Sequence, residues 1–309
     1  MNEIEPFNQT KLFGLKNFLN ELIQLYNTEK FPTKILFSGQ KGLGKSTMAY
    51  HFINYVLSKN EDFGYDIENS CINPNNHSYK TILNKSNPNV SVIDIDLEKK
   101  NIDINQIRNL ILNLNKSSFN DKPRFVLIDN IEFMNINSVN AILKILEEPS
   151  DNTYFILINN NKRILPTLLS RCVDFKIFMS NSENLSTTNK ILDNKIDNMI
   201  NTDLINYYST PGKILNLIKF AKMHECDLIN INIKEFINFL INNNHKTDNN
   251  IKYLIYDFIE FYFSKINLSI FPKIHDKYNY FIKRISDTKK FNLDEETLFI
   301  EFKEKILDG

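Results

Sequence analysis

The chain has 309 residues, 42% of them hydrophobic and 24% charged, with 37 Lys and Arg set against 37 Asp and Glu. This is enough apolar material for a packed core and enough length for two or three domains, and a net charge of zero argues against an all-over nucleic-acid coat. Cys71, Cys172 and Cys226 are odd in number, widely spaced and without a C-x-x-C pair, which argues against a disulfide framework or a structural zinc site and fits reduced thiols in the cytoplasm.

The opening stretch MNEIEPFNQTK is acidic and polar, unlike a signal peptide. No segment approaches the ~18 uninterrupted apolar residues of a membrane helix, so no membrane association is expected. Leu15, Phe18, Leu19, Leu22, Ile23 and Tyr26 fall on one helical stripe. KILFS at 34–38 has the length of a buried strand and runs into GQKGLGKST, after which MAYHFINYVL reads as a helix. Residues 60–85 are polar and Asn-rich and carry no periodic pattern, so a loop or small insertion is expected there. VSVIDID at 90–96 reads as a second strand, INQIRNLILNL from Ile104 as a helix, and RFVLID at 124–129 as a third strand. Val139, Ile142, Leu143 and Leu146 make one face of a helix that stops before Pro149, and TYFILI at 153–158 reads as a fourth strand.

Strands that alternate with helices and carry buried apolar runs predict an α/β fold whose parallel sheet is covered on both faces. Strand-like runs become rare after about residue 180. Residues 181–226, around STPGKIL, read as a small helical unit, and helices dominate 227–309. Ile251, Leu254, Ile255, Phe258, Ile259 and Tyr262 form one stripe, and Leu298, Phe302 and Ile306 another. Asn292, with Glu295 three residues on, is the expected cap of the last helix.

Gly39 to Ser46 fits G-x-x-x-x-G-K-[ST]. The chain has only 7 Gly, and Gly39, Gly42 and Gly44 crowd into this loop. Glycine lets successive N–H groups turn inward on phosphate oxygens, and the following helix points the positive end of its dipole at the same place. Lys45 is the expected contact to β and γ phosphates, and the Ser46 hydroxyl a ligand for Mg²⁺, with Thr47 beside it. Asp129, at the carboxyl end of the third strand, is placed to hold Mg²⁺ opposite Ser46. Its neighbour Asn130 has only a weakly basic amide oxygen and is a poor general base, while Glu132 is expected to point elsewhere. These residues describe a pocket for a nucleotide with Mg²⁺ whose own hydrolysis is weak or absent.

NSVNAILKILEEPSDNTYFILINNNKRILPTLLSRC, residues 137–172, resembles the bacterial clamp-loader ATPases, the gamma/tau and delta prime subunits of DNA polymerase III. The Asn140-Ala141 and Leu143-Lys144 pairs, LEEP at 146–149, FIL at 155–157, LPT at 165–167 and SRC at 170–172 carry the likeness. GQKGLGKST, INQIR at 104–108 and TPGKIL at 210–215 extend it in family order over most of the first 220 residues. The resemblance implies an AAA+ nucleotide-binding module (1–180), a helical lid (181–226) and a helical collar (227–309). It also implies a five-subunit ring with gamma/tau and delta subunits that opens the sliding clamp and places it on primer-template DNA.

In that family the serine-arginine-cysteine motif supplies an arginine finger, so the resemblance makes Arg171 a group that reaches a neighbour's ATP. Asn159 or Asn160 falls where the family senses the γ-phosphate, and Lys213 where the lid carries a basic sensor. Gamma-type subunits generally carry a four-cysteine zinc module where this chain has only Cys71, and an acid where it has Asn130. The resemblance therefore favours a delta prime-like subunit without zinc over a gamma/tau-type ATPase active in cis. A reading from another class, a stand-alone nucleotide-binding switch or small kinase, would need an active monomer. The stripe with Leu254, Phe258 and Tyr262 serves either sister-subunit contacts or the core of its own domain.

Overall fold

The computed structural model describes residues 5–95, 101–116, 120–206, 209–242, 249–266, 272–291 and 293–308. Contacts group the chain into two compact units: residues 1–194 with 209–216, and residues 195–208 with 217–309. This grouping does not follow the boundaries at 180 and 226 drawn from sequence. Among the described residues no helix is long and apolar enough to cross a membrane.

The first unit is built on five parallel strands in the order β2-β3-β4-β1-β5: β1 (Lys34–Ser38), β2 (Val90–Ile93), β3 (Arg124–Ile128), β4 (Thr153–Asn159) and β5 (Val173–Lys176). Side chains alternate across a strand, and here the alternation divides the core. Ile35, Phe37, Phe125, Leu127, Ile156 and Ile158 enter one cluster, joined by Leu19, Leu22 and Ile23 of α1 (Lys16–Asn27) and Met48 and Phe52 of α2 (Lys45–Leu57). Leu36, Val126, Ile128, Phe155 and Leu157 enter the other. They are joined there by Ile107, Leu110 and Leu114 of α4 (Ile104–Leu114) and Ile142 and Leu146 of α5 (Ile136–Glu147). The sheet is thus covered on both faces, as the buried runs predicted.

The structure corrects three local expectations. A fifth strand, β5, pairs with β1; its sequence VDFK is largely exposed and has no buried run to announce it. The 60–85 stretch contains the helix α3 (His77–Leu83), capped by the Asn76 side chain, which accepts from Tyr79 N–H at 2.8 Å. Around it, the Glu61 carboxylate accepts from Ser78 N–H (2.9 Å), Ser78 Oγ (2.7 Å) and Asn76 Nδ2 (3.1 Å), and pairs with Lys122 at 2.5 Å. The second strand ends at Ile93, and Asp96 lies outside the described residues.

The unit continues through the short helix α6 (Pro166–Leu169) and α7 (Asn181–Leu192), where Ser180 and Glu183 form a reciprocal cap. Helix α8 (Pro211–Met223) follows. The second unit holds α9 (Ile233–Asn242), α10 (Asn249–Lys265), α11 (Pro272–Phe291) and α12 (Glu295–Phe302). Aromatic edges fill its centre: Phe258 meets Phe236 at 4.8 Å, Phe281 meets Phe302 at 5.2 Å, and Tyr262 lies 6.1 Å from Phe302. Phe258 is buried in the unit's own core, where burying such a side chain is worth about 1.5–3 kcal/mol, and Tyr262 is half-buried at its edge. Asp294 caps α12 by accepting from Glu296 and Thr297 N–H, and Asn292, the expected cap, lies outside the described residues.

Candidate phosphate-binding site

Strand register gathers the site. Ser38 stands beside Asn159, Leu157 beside Ile128, and Ile128 beside Ile93. The residues that follow, Gly39, Asn160, Asp129 and Asp94, therefore share one carboxyl edge of the sheet, where such folds take their ligands.

The loop from Gly39 to Ser46 has the backbone its glycines predicted. Gly42 and Gly44 have φ of +87° and +91°, a region L side chains rarely adopt. A Cβ on Gly39 would collide with the Ile177 carbonyl oxygen. Gly44 is the N-cap of α2, so the dipole of a 13-residue helix begins at the loop. A second loop braces the first from within the same unit. Thr210, fully buried, donates its hydroxyl to the Lys41 carbonyl at 2.7 Å, and Gly212 N–H donates to the Gly42 carbonyl at 2.9 Å. Lys213 occupies the first turn of α8, and its backbone N would lie 3.1 Å from a Cβ on Gly42. The bracing by Thr210 and Gly212 was not anticipated from the sequence; TPGKIL carried a hint of it only as a motif.

Lys45 is 3% exposed. Its three ammonium protons meet three acceptors: the carbonyls of Gly39 (2.9 Å) and Gln40 (2.7 Å) and Oδ1 of Asn160 (2.9 Å). Burial lowers its pKa to about 8, against the opposing pull of Asp129 and Glu132. Asp129 is half-buried beside it and accepts Asn130 N–H at 2.8 Å and a bond from the Ser46 side chain. Burial first, and then the charge of Asp94, pushes its carboxyl up to about 6. Ser46 and Asp129 together are hard oxygen donors on an electrostatically unsatisfied spot, a chemistry that suits Mg²⁺. Among the described residues no cluster of three or more His, Cys, Asp or Glu forms a metal centre. A cation held here would complete its shell with phosphate oxygens and water. Thr47 follows Ser46 in the first turn of α2.

Asn130 adopts a left-handed conformation, φ 54° and ψ 44°, which asparagine tolerates. Both ends of its amide are engaged: Nδ2 donates to Asp94 Oδ1 at 2.7 Å, and Oδ1 accepts from Asn160 Nδ2 at 2.7 Å. The turn also overturns the expectation for Glu132. A single helical turn at Ile131–Phe133 swings that carboxylate back, so that Oε2 accepts Asn160 N–H at 3.3 Å and its charge is felt by Lys45. The two candidate asparagines separate cleanly. Asn159 folds onto its own turn, donating to the Lys162 carbonyl at 2.9 Å and accepting Lys162 N–H at 3.1 Å. Asn160 is the one brought to Lys45.

Arg171 is not part of this constellation. It precedes Val173, which stands beside Ile35 near the start of β1, and so lies toward the opposite edge of the sheet from Gly39. Its guanidinium donates from Nε to Glu147 Oε1 at 3.2 Å, from Nη2 to the same oxygen, and from Nη1 to the Thr167 carbonyl at 2.8 Å. Leu165, Leu169 and Val173 around it are 41%, 41% and 55% exposed. Cys172 is half-buried, and burial pushes its thiol up to about 11, which leaves it a small hydrophobe with little thiolate character.

A profile of the family described as "DNA polymerase III, delta subunit" matches residues 14–180. The DNA polymerase III subunit gamma/tau of Mycoplasma genitalium is 30% identical over 171 residues, 55% of this chain and 27% of that protein. The subunit delta' of Buchnera aphidicola is 26% identical over 176 residues, 55% of this chain and 51% of its own. The subunit delta' of Pseudomonas aeruginosa is 30% identical over 139 residues, 45% and 40% of the two chains. The chain thus spans from about a quarter to about half the length of these curated relatives. A gamma subunit-related protein of Thermotoga maritima of known structure aligns over 91% of this chain and 96% of its own, with a TM-score of 0.45 and 16% identity.

Proposed function

Starting from the fact that this chain belongs to the DNA polymerase III delta-subunit family, we propose that it is a delta prime-like AAA+ subunit of a replicative clamp loader. In this reading it binds ATP with Mg²⁺, turns it over poorly if at all, and lends Arg171 to the ATP site of a neighbour. Its partners are gamma/tau-type and delta-type subunits in a five-membered ring, the sliding clamp and, indirectly, primer-template DNA, all in the cytoplasm.

Each residue then has a role. The backbone of Gly39–Ser46 cradles phosphate oxygens, and Lys45 exchanges its carbonyl acceptors for the β and γ phosphates. Ser46 and Asp129 hold the cation, whose charge neutralises that of the phosphates. Asn160 takes the sensor role that the sequence had left open with Asn159, because it already touches Lys45. Lys213 joins from the first turn of α8. Arg171 suits a role in trans because its guanidinium lies away from the chain's own loop and stays charged at any working pH.

The observation that carries the weak-hydrolysis reading is Asn130. Its amide spans Asp94 and Asn160 where a base would need a carboxylate, and a missing general base costs about 10²–10⁴ in rate. The purified chain should therefore bind ATP with Mg²⁺ but hydrolyse it below about 0.1 s⁻¹, some 10²-fold under a median enzyme. Turnover near about 10 s⁻¹ would overturn the reading. Native mass measurement of the complex from its own cell tests the assembly: a stable monomer without stoichiometric partners refutes it.

One observation favours the second reading, a gamma/tau-type ATPase active in cis: Glu132 returns to the site through Asn160 N–H. Should the wild type turn over briskly, Glu132→Gln separates the two, since loss of activity would make that carboxylate the base.

A further inference from the structure

LEEP was among the motifs that marked the chain, and the proposed function leaves its first glutamate unused. Glu147 ends α5, and its Oε1 takes both Nε–H and an Nη2–H of Arg171, while Thr167 O takes one Nη1–H. A guanidinium has five N–H groups. Among the described residues three are committed to the subunit itself, which leaves one on Nη1 and one on Nη2. The side chain is 32% exposed and that of Glu147 54%. An ion pair so open to water adds little to the stability of a fold. What it does supply is direction. Arginine carries several rotatable bonds, and fixing them is a cost that any phosphate contact must otherwise meet at the moment it forms.

Resting on the reading of Arg171 as the group offered to a neighbouring subunit, we infer that Glu147 is its positioning residue. Glu147 clamps the inner edge of the guanidinium and, with the Thr167 carbonyl, presents the two remaining N–H groups outward as a pre-set fork for an anionic phosphate. The arrangement orients the arginine and does not hold it away, because an arginine sequestered by its partners would have no donor left to give.

The test uses the isolated full chain and the complex assembled with the ATPase subunits of its own cell. In the isolated chain, NMR of the arginine Nε–H groups reads orientation directly. There are five arginines, so Arg171→Lys assigns the signal. That resonance should be slow-exchanging in the wild type, lost by fast exchange in Glu147→Ala, and retained in Glu147→Gln, which keeps an acceptor oxygen. In the complex, Glu147→Ala should lower kcat of the neighbouring ATP site by about 3- to 10-fold with KM within about twofold, because a group that acts in the transition state moves kcat alone. Glu147→Gln should recover most of the rate. An unchanged Arg171 resonance in Glu147→Ala, or a kcat that stays level or rises while Arg171→Ala still lowers it, overturns the positioning role. If Arg171→Ala itself leaves the neighbour's kcat unchanged, the in-trans reading fails and this inference falls with it.

Discussion

Replacing Asp129 by asparagine should make the protein more stable at neutral pH while weakening its hold on Mg²⁺ and nucleotide. The half-buried Asp129 carboxyl sits beside Asp94 with its pKa raised from 3.8 to about 6. A folded-state pKa above the unfolded one favours the protonated form, so its contribution is fully present below about pH 4 and is lost as pH rises through about 6. At about 1.36 kcal/mol per pH unit, the shift makes the ionised group about 3 kcal/mol unfavourable at pH 7. The introduced amide would keep the shape, an acceptor for Asn130 N–H and a donor facing Asp94, and would have no charge to bury. Urea denaturation of both proteins, with EDTA present and without nucleotide, should give nearly equal midpoints at pH 4. Asp129→Asn should pull ahead between pH 4 and 6 and hold a lead of up to about 3 kcal/mol at pH 7. With Mg²⁺ and ATP added the order should reverse or close, because binding stabilises only the form that binds. A variant that is less stable than wild type at pH 7 in EDTA, or whose lead does not depend on pH, refutes the electrostatic account.

Other outcomes follow from the same contacts. Gly42→Ala forces a methyl group onto a φ of +87° and against Thr210 Oγ1, so it should cost about 3 kcal/mol of stability and most nucleotide affinity, read by urea midpoint and equilibrium binding. Asn159→Ala should lose about 1–2 kcal/mol of stability with nucleotide affinity nearly intact, because among the described residues its amide bonds to Lys162 alone. Asn160→Ala should show the opposite balance, since its amide touches Lys45 and Asn130. Glu61→Gln leaves Lys122 facing a neutral amide in place of a carboxylate of 11% exposure and should destabilise the first unit by about 2 kcal/mol, with no effect on nucleotide affinity.

What the sequence made legible was the part that depends on local backbone chemistry. Three glycines before a lysine specify a loop that only glycine can build, and Gly42 and Gly44 do take the left-handed region. Apolar runs specify buried strands, and each of the four they marked is in the sheet. The strand with no apolar run, β5, escaped notice because its edge position leaves Val173 and Asp174 open to solvent. The site itself was legible only as far as chain distance allowed. Asp129 was found from the strand that ends beside it, but the company it keeps was not, since Asn130 meets Asp94 and Asn160 through sheet register, across 36 and 30 positions of chain. Glu132 was misjudged for a sharper reason. A strand or an open turn would have carried it away, and it comes back because Asn130 takes a left-handed conformation, which reverses the chain for a single turn. The choice between Asn159 and Asn160 turned on where β4 stops. Its last residue is Asn159, one beyond the apolar run, so it is spent on the exit turn and the next amide is left facing Lys45. In both cases one residue of backbone geometry decided which side chain has chemistry to do, and hydropathy does not encode geometry at that resolution. Glu147 and Arg171 extend the point: each stood in a recognisable motif, yet their pairing across 24 positions, and the direction it gives the guanidinium, belongs to the packing of α5 against the turn after α6.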